Sequence, residues 1–351
     1  MNQTPQQSNE CLIDFLRFSL PDASMEKVAD LLGIALSDFT SEKKGSPFPT
    51  YDSHYSFVDI IIHQSDHHNN LLVNLSGQGC RQYEEYMSSV EGWHWQKFLA
   101  AILKAKGTIT RAELAMDLFD GSSPPVSTLQ KYVKNGQLSS QSRHFREVNS
   151  GQLQKGILTG HTLYIGAQPQ LLRVYDKKQE IRDKTGEIAQ VNEWVRWELE
   201  LTDQKARQAV EKLAKGIPLN TVIRGILASH YSFKTKPKGP VNYHNKARWP
   251  NMKWWDKFVG GIPKIPLRVV REKPTFSKKK AWLENATSKS LAMIYEAFLQ
   301  AYGLEQAEKD LSQKIQRVLN EKSARSFELN GHIKFKEFYE TVWLDMYIAT
   351  I

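Results

Sequence analysis

Apolar and polar residues alternate along most of the first 230 positions in ways that separate strands from helices. Residues 12–20 (LIDFLRFSL) read as a strand. A helix follows over about 23–32, with Asp22 or Ser24 as its cap. Residues 55–63 and 71–76 read as two further strands, and the polar link 64–70 makes them a hairpin. Gly77-Gln78-Gly79 is turn chemistry, and a helical period runs through 81–106. Later segments, 203–213 and 220–229, are helical in pattern, and 282–351 reads as three helices, roughly 282–302, 304–323 and 333–349.

Three strands between these helices carry ionisable groups on one side only. Side chains of a strand alternate between faces, so residue parity sorts them. Over 109–119, Leu114, Met116 and Leu118 share an apolar face, while Arg111, Glu113 and Asp117 share the other. Over 195–201, Val195, Trp197, Leu199 and Leu201 oppose Arg196, Glu198 and Glu200. Over 171–177, Leu172 and Val174 oppose Arg173, Tyr175 and Lys177. One such strand is ordinarily a solvated sheet face. Three in one antiparallel sheet would bring four carboxylates, four cations and a tyrosine together.

That set has a definite chemistry. Carboxylates such as Glu113, Asp117, Glu198 and Glu200 are hard oxygen ligands for Mg²⁺ or Mn²⁺. A divalent ion polarises a phosphate. Arg111, Arg173, Lys177 and Arg196 offset charge on a phosphorane. A tyrosine forms a covalent phosphodiester that conserves the bond for rejoining. Its ordinary pKa of about 10 means that a neighbour must help remove its proton. No pair among the ten histidines flanks a single hydrophobic residue, so a metal here falls to carboxylates.

Charge adds a second surface. The chain carries a formal +9. Residues 234–280 hold 14 Lys or Arg against Asp256 and Glu272, so this stretch is net +12 and the rest of the chain is net −3. Prolines break it up, and Tyr243, Trp249, Trp254, Trp255 and Phe258 interleave with the basic residues. Cations beside flat rings suit single-stranded or distorted DNA; a linker anchored by its tryptophans is the plainer reading. Lys246, Arg248, Lys253, Trp254, Trp255 and Lys257 are the candidate contacts here, joined by Arg111 and Arg196 from the strands. Two cysteines, Cys11 and Cys80, are too few for a disulfide framework and fit a reducing cytosol. No apolar run is long enough to span a membrane, and the polar first ten residues lack the pattern of a signal peptide.

At these residues the sequence resembles the replication initiation factor family of rolling-circle initiators and relaxases of plasmids, phages and integrative elements. The matching pieces stand in the family's order: GQGCRQYE (77–84), TRAELAMDLFD (110–120), TLYIGAQPQLLRVYDKKQE (162–180), RWELEL (196–201) and RWPNMKWWDKFV (248–259). KPTFSKKKAWLENATSKSLAMIYEA (273–297) is similar to the ending of the phage and integrative-element branch.

The resemblance implies that Tyr175, in the RVYDK block, is the nucleophile, with Arg173 and Lys177 beside it. Gln179 stands where some members have a second tyrosine, and Glu113 where the family more often has Asp. It also implies a nickase that leaves a 5′-phosphotyrosine and a free 3′-OH primer at a DNA origin. Mg²⁺ or Mn²⁺ would be its cofactor. Host helicase and polymerase, and a second copy of the chain, would be its partners in a bacterial cytoplasm. A relaxase with the same chemistry and a non-catalytic DNA-binding regulator are the alternatives. The expected fold is α+β: an antiparallel nicking sheet with helices on one face, then a helical C-terminal region. Its expected divisions are 1–105 (N-terminal α+β), 106–233 (catalytic), 234–281 (basic, DNA-contacting) and 282–351 (helical).

Overall fold

Strand β1 (Glu10–Leu20) is the hinge of the architecture, because its two edges join the two halves of the chain. It pairs antiparallel with β5 (Leu71–Leu75) on one side and β6 (Thr108–Leu118) on the other. The remaining strands of the sheet are β2 (Thr40–Glu42), β3 (Ser53–Phe57), β4 (Ile60–Gln64), β8 (Phe145–Gln152), β9 (Ile157–Ala167), β10 (Gln170–Asp176) and β11 (Val195–Thr202). Together they form one ten-stranded antiparallel sheet in the order β2-β3-β4-β5-β1-β6-β11-β10-β9-β8. Two short strands, β7 (Leu138–Ser140) and β12 (Tyr231–Phe233), pair separately.

This computed structural model describes residues 8–42, 46–48, 50–187, 189–237 and 245–270, with scattered positions between 293 and 313. The chain divides into two compact units, Met1–Val269 and Val270–Ile351. Described positions of the second unit, such as 295–297 and 299–301, are helical. Most of the three helices expected there, and basic residues 238–244 and 271–280, lie outside the described residues.

Helices pack on the sheet, all but the fifth burying apolar side chains against one face. They are α1 (Met25–Leu32), α2 (Gly77–Met87), α3 (Trp95–Lys104), α4 (Val126–Lys134), α5 (Lys177–Thr185), α6 (Asp203–Ala214), α7 (Leu219–His230) and α8 (Lys253–Val259). The apolar parity sets predicted for β6, β10 and β11 are buried in one core with Phe18 of β1 and Phe98 of α3, whose rings meet edge to face at 6.2 Å. Trp197 of β11 is closed over by Phe258 and Trp255 of α8, at ring distances of 4.8 and 6.0 Å. Among the described residues, no helix is long and apolar enough to cross a membrane.

Two local expectations change. The single strand expected over 55–63 is a hairpin, β3 and β4, with Phe57 opposite Ile60. No glycine or proline marks its turn. Val58 adopts φ 51°, a region unfavourable to a β-branched residue, and Gln82 clamps the next residue: its Oε1 accepts from Asp59 N at 3.0 Å and its Nε2 donates to Asp59 Oδ2 at 2.9 Å. The Gly77-Gln78-Gly79 turn is instead the first turn of α2. Ser76 Oγ caps it by accepting from Gly79 N at 3.1 Å. Gly79 serves close approach: a Cβ there would stand 2.5 Å from the Asp59 carbonyl oxygen.

Candidate active site

The register of the four central strands assembles the polar face. Glu200 lies opposite Glu113, Arg196 opposite Asp117, Arg173 opposite Glu198, and Tyr175 opposite Arg196. Antiparallel partners share a face, so Tyr175, Arg173, Arg111, Arg196, Glu113, Asp117, Glu198 and Glu200 do converge. The Tyr175 hydroxyl donates to Glu198 Oε2 at 2.8 Å. Arg173 Nη2 is ion-paired with Glu198, lies 2.9 Å from Glu113 Oε2 and 3.6 Å from Glu200 Oε2. Arg111 donates from Nε to Glu113 Oε1 at 2.9 Å, reaches Glu200 at 3.3 Å, and stacks over Phe15. Glu200 also accepts from Gln168 Nε2 at 3.0 Å.

A fifth carboxylate joins this set. Asp14 of β1 brings one oxygen to within 4.8 Å of one each from Glu113 and Glu198. Its position follows from a β-bulge. The β1–β6 register shifts between Ile13, opposite Leu114, and Phe15, opposite Glu113, leaving Asp14 as the extra residue. β5 has ended by this point, opposite Leu16. Helix α2 takes over the edge: Arg81 Nη2 donates to the Ile13 carbonyl at 2.6 Å, and Gly77 lies against the Asp14 backbone oxygen.

The geometry places several candidate residues in other settings than the strand face alone suggests. Both oxygens of Asp117 are taken by the Arg196 fork, Nε at 2.7 Å and Nη2 at 2.6 Å, and Asp117 is 0% exposed. Asp117 is therefore the buried partner of Arg196 and lies outside the Asp14–Glu113–Glu198 group. Arg196, also buried, gives its remaining Nη1 to Asp14 Oδ2 at 3.0 Å. Glu200 is held by Arg111 and Gln168 and lies outside the Asp14–Glu113–Glu198 group. Lys177 is not on the strand. It opens α5, capped by Asp176, and its Nζ donates to Glu180 at 2.5 Å while lying 5.7 Å from the Tyr175 ring centre. Trp255 is buried in the core, and Trp254 packs between Phe233 and Tyr132. Lys246, Arg248, Lys253 and Lys257 are exposed.

The electrostatics of the cluster favour a cation. Asp14, Glu113, Asp117, Glu198 and Glu200 face the three guanidiniums of Arg111, Arg173 and Arg196. Full ionisation would leave an excess of two negative charges, which one divalent ion on hard oxygen donors would offset. Burial, together with the crowding of Glu113 and Asp14 against it, pushes Glu198 up to about 8 even though Arg173 opposes the shift. Burial and then the Glu198 charge raise Tyr175 well above its ordinary range.

A pH dependence follows. An unfolded Glu ionises near 4.5 while folded Glu198 keeps its proton to about 8. Between these values the unfolded chain binds fewer protons, so stability falls as pH rises. Melting in EDTA should show Tm declining from pH 5 to 8, and Glu198→Gln should flatten that decline. An equal decline in the variant would assign it to other groups.

Comparisons with known proteins agree with this architecture. The replication initiation factor family matches residues 107–315, and the rolling circle replication initiation protein N-terminal domain matches residues 10–101. A Bacillus subtilis (strain 168) protein named "Putative DNA relaxase NicK" is 26% identical over 292 residues, covering 82% of this chain and 81% of its own. The solved structure of a rolling circle replication initiator protein from Geobacillus stearothermophilus superposes with a TM-score of 0.63 at 24% identity. It covers 75% of this chain and 100% of its own. That likeness establishes the shared fold.

Proposed function

Because this chain belongs to the replication initiation factor family, we propose that it nicks one DNA strand at an origin, with Tyr175 as the nucleophile. The observation that carries this reading is the 2.8 Å hydrogen bond from the Tyr175 hydroxyl to Glu198, inside a cluster with acid to spare. The phenolic oxygen attacks the scissile phosphorus and its proton passes to Glu198 in its ionised form, along the hydrogen bond it already makes. The bond from phosphorus to the 3′ oxygen breaks. The leaving 3′ oxygen takes a proton from water, the 5′ end stays on Tyr175 as a phosphodiester, and the 3′-OH is free to prime a host polymerase behind a host helicase.

Asp14, Glu113 and Glu198 would hold Mg²⁺ or Mn²⁺, whose charge would polarise the phosphate. Arg173, shared between Glu113 and Glu198, keeps these carboxylates in place. Arg111 does the same for Glu113 and Glu200. The relaxase reading uses the same chemistry and is favoured by the name of the Bacillus relative. Incubation with supercoiled origin DNA, with and without Mn²⁺, tests both. Metal-dependent relaxation and a protein–DNA adduct that survives denaturation are expected. DNA retention with no relaxation under any metal would leave only a binding protein.

The exposed cations around α8 are the proposed phosphate contacts. Each phosphate neutralised contributes about 0.9 to the slope of log affinity against log salt. Changing Lys246, Arg248, Lys253 and Lys257 together to Ala should reduce the magnitude of that slope by about 3.6, read by fluorescence anisotropy at several salt concentrations. An unchanged slope would remove this segment from the interface.

A further inference from the structure

The hairpin of β8 and β9 stands beside Tyr175 at the sheet edge. Tyr175 lies opposite Thr162, and β9 residues from Ile157 to His161 have no partner on β10. The hairpin therefore continues past the end of β10, on the side where the chain turns into α5. At about 3.3 Å per residue, Leu158 is on the order of 13 Å from the level of Tyr175, the height of roughly four stacked bases.

It is a built element. A Cβ at the bulged Gly151 would stand 2.8 Å from the Ile157 carbonyl oxygen, and Gly156 closes the loop at φ 60°. Helix α5 braces it through Ser150 Oγ, which donates to Asp183 Oδ2 at 3.3 Å.

Its surface is wrong for a hairpin left in water. Leu153 is 98% exposed, Leu158 61% and Ile157 50%. Behind this apolar tip, Arg146, Tyr164 and Arg173 lie opposite one another across three strands, and Arg146 caps the Tyr164 ring at 4.5 Å. That row of cation, ring and cation leads from the edge into the site. Arg143, Arg146 and Lys155 are exposed along this edge and tip, and would repel an equally basic surface. A polyanion would not meet that repulsion. Apolar side chains inserted between base steps unstack a duplex at a cost of a few kcal/mol per step, recovered through new contacts.

We propose that the β8–β9 hairpin is a strand-separating wedge. Leu153, Ile157 and Leu158 enter the duplex beside the scissile phosphate, and Arg146 with Tyr164 guides the freed strand to Tyr175. This rests on the nicking reading, and its test separates the two. The full chain carrying Leu153→Ser, Ile157→Ser and Leu158→Ser is compared with the unaltered protein on three substrates spanning the cut site mapped in the supercoiled assay. They are a single strand, a linear duplex and a duplex with mismatches across the site.

The triple variant should lose tenfold or more on the duplex and cleave the single strand and the mismatched duplex at the unaltered rate. In a Tyr175→Phe background, 2-aminopurine placed in the duplex should brighten on binding, and the triple substitution should abolish that signal. Equal loss on all three substrates, or no loss on the duplex, overturns the wedge. So does a change from dimer to monomer in sedimentation, which would make the tip a self-association surface. If the unaltered chain cuts nothing, the nicking reading fails, while the 2-aminopurine signal, read on candidate origin duplex, still decides whether the hairpin opens DNA.

Discussion

Tyr175→Phe should reduce nicking by about 10⁴-fold or more, the scale on which removal of a nucleophile acts, and abolish the covalent adduct. Origin binding should stay within about fivefold, since a single hydrogen bond is worth a net of only about 1 kcal/mol. The substitution removes one oxygen. The ring keeps its place between β9 and β11, so the fold has no reason to change, although Glu198 loses a hydrogen bond. Nicking is read by relaxation of supercoiled DNA, and the adduct by denaturing electrophoresis with labelled 5′ ends. A variant that still nicks at the unaltered rate would end the tyrosine mechanism. A variant that loses binding as well would show that the hydroxyl serves recognition. Gln179, where a second tyrosine would sit, lies on α5 and bonds Asp183 at 2.6 Å, so no second phenol is at hand in this block to rescue the reaction.

Much of this site was legible because strand parity is a strong rule where one face must be buried. It placed Arg173, Tyr175, Glu113, Glu198 and Glu200 on one face without any knowledge of their partners. It failed where the backbone leaves the strand. Asp176 caps a helix, with Gln179 N donating to its side chain at 3.0 Å, so parity ends one residue before Lys177. The Asp followed three residues later by Gln was the available signal. Asp14 was hidden for a related reason. Strict alternation groups it with Leu12, Leu16, Phe18 and Leu20, as though it faced the core, and only the bulge turns it to the polar side. Nothing in the residue letters marks that bulge.

The basic segment shows the opposite ambiguity. Aromatics among cations fit nucleic-acid stacking, yet Trp255 and Phe258 are three residues apart, one helical face, and both are buried. The intervening Asp256 and Lys257 face solvent. Likewise Asp117 was chemically suited to a metal and Arg196 to a phosphate. Their mutual satisfaction depends on a register between strands 79 positions apart, which no local pattern records.

Asp14→Asn is expected to separate the two candidate metal sets. The sequence offers Glu113, Asp117, Glu198 and Glu200; the geometry offers Asp14, Glu113 and Glu198. A ligand that binds only the folded state stabilises it by RT ln(1 + [L]/Kd). Saturating Mn²⁺ should therefore raise the Tm of the unaltered protein. Asn keeps an oxygen for the Arg196 bond at 3.0 Å but gives up the charge, so the variant should fold and melt in EDTA much as the unaltered protein does. Its Mn²⁺ affinity should fall by 10-fold to 100-fold or more, the range set even by supporting residues of metal sites, and nicking at low Mn²⁺ should fall with it. High Mn²⁺ should restore part of the activity, which a merely misfolded variant would not allow. Glu200→Gln should retain most of the Mn²⁺ stabilisation, because Glu200 is engaged by Arg111 and Gln168 outside the three-carboxylate group. The reverse pattern, with Glu200→Gln blind to Mn²⁺ and Asp14→Asn unaffected, would return the metal to the strand-parity set and leave Asp14 as a partner of Arg196 alone.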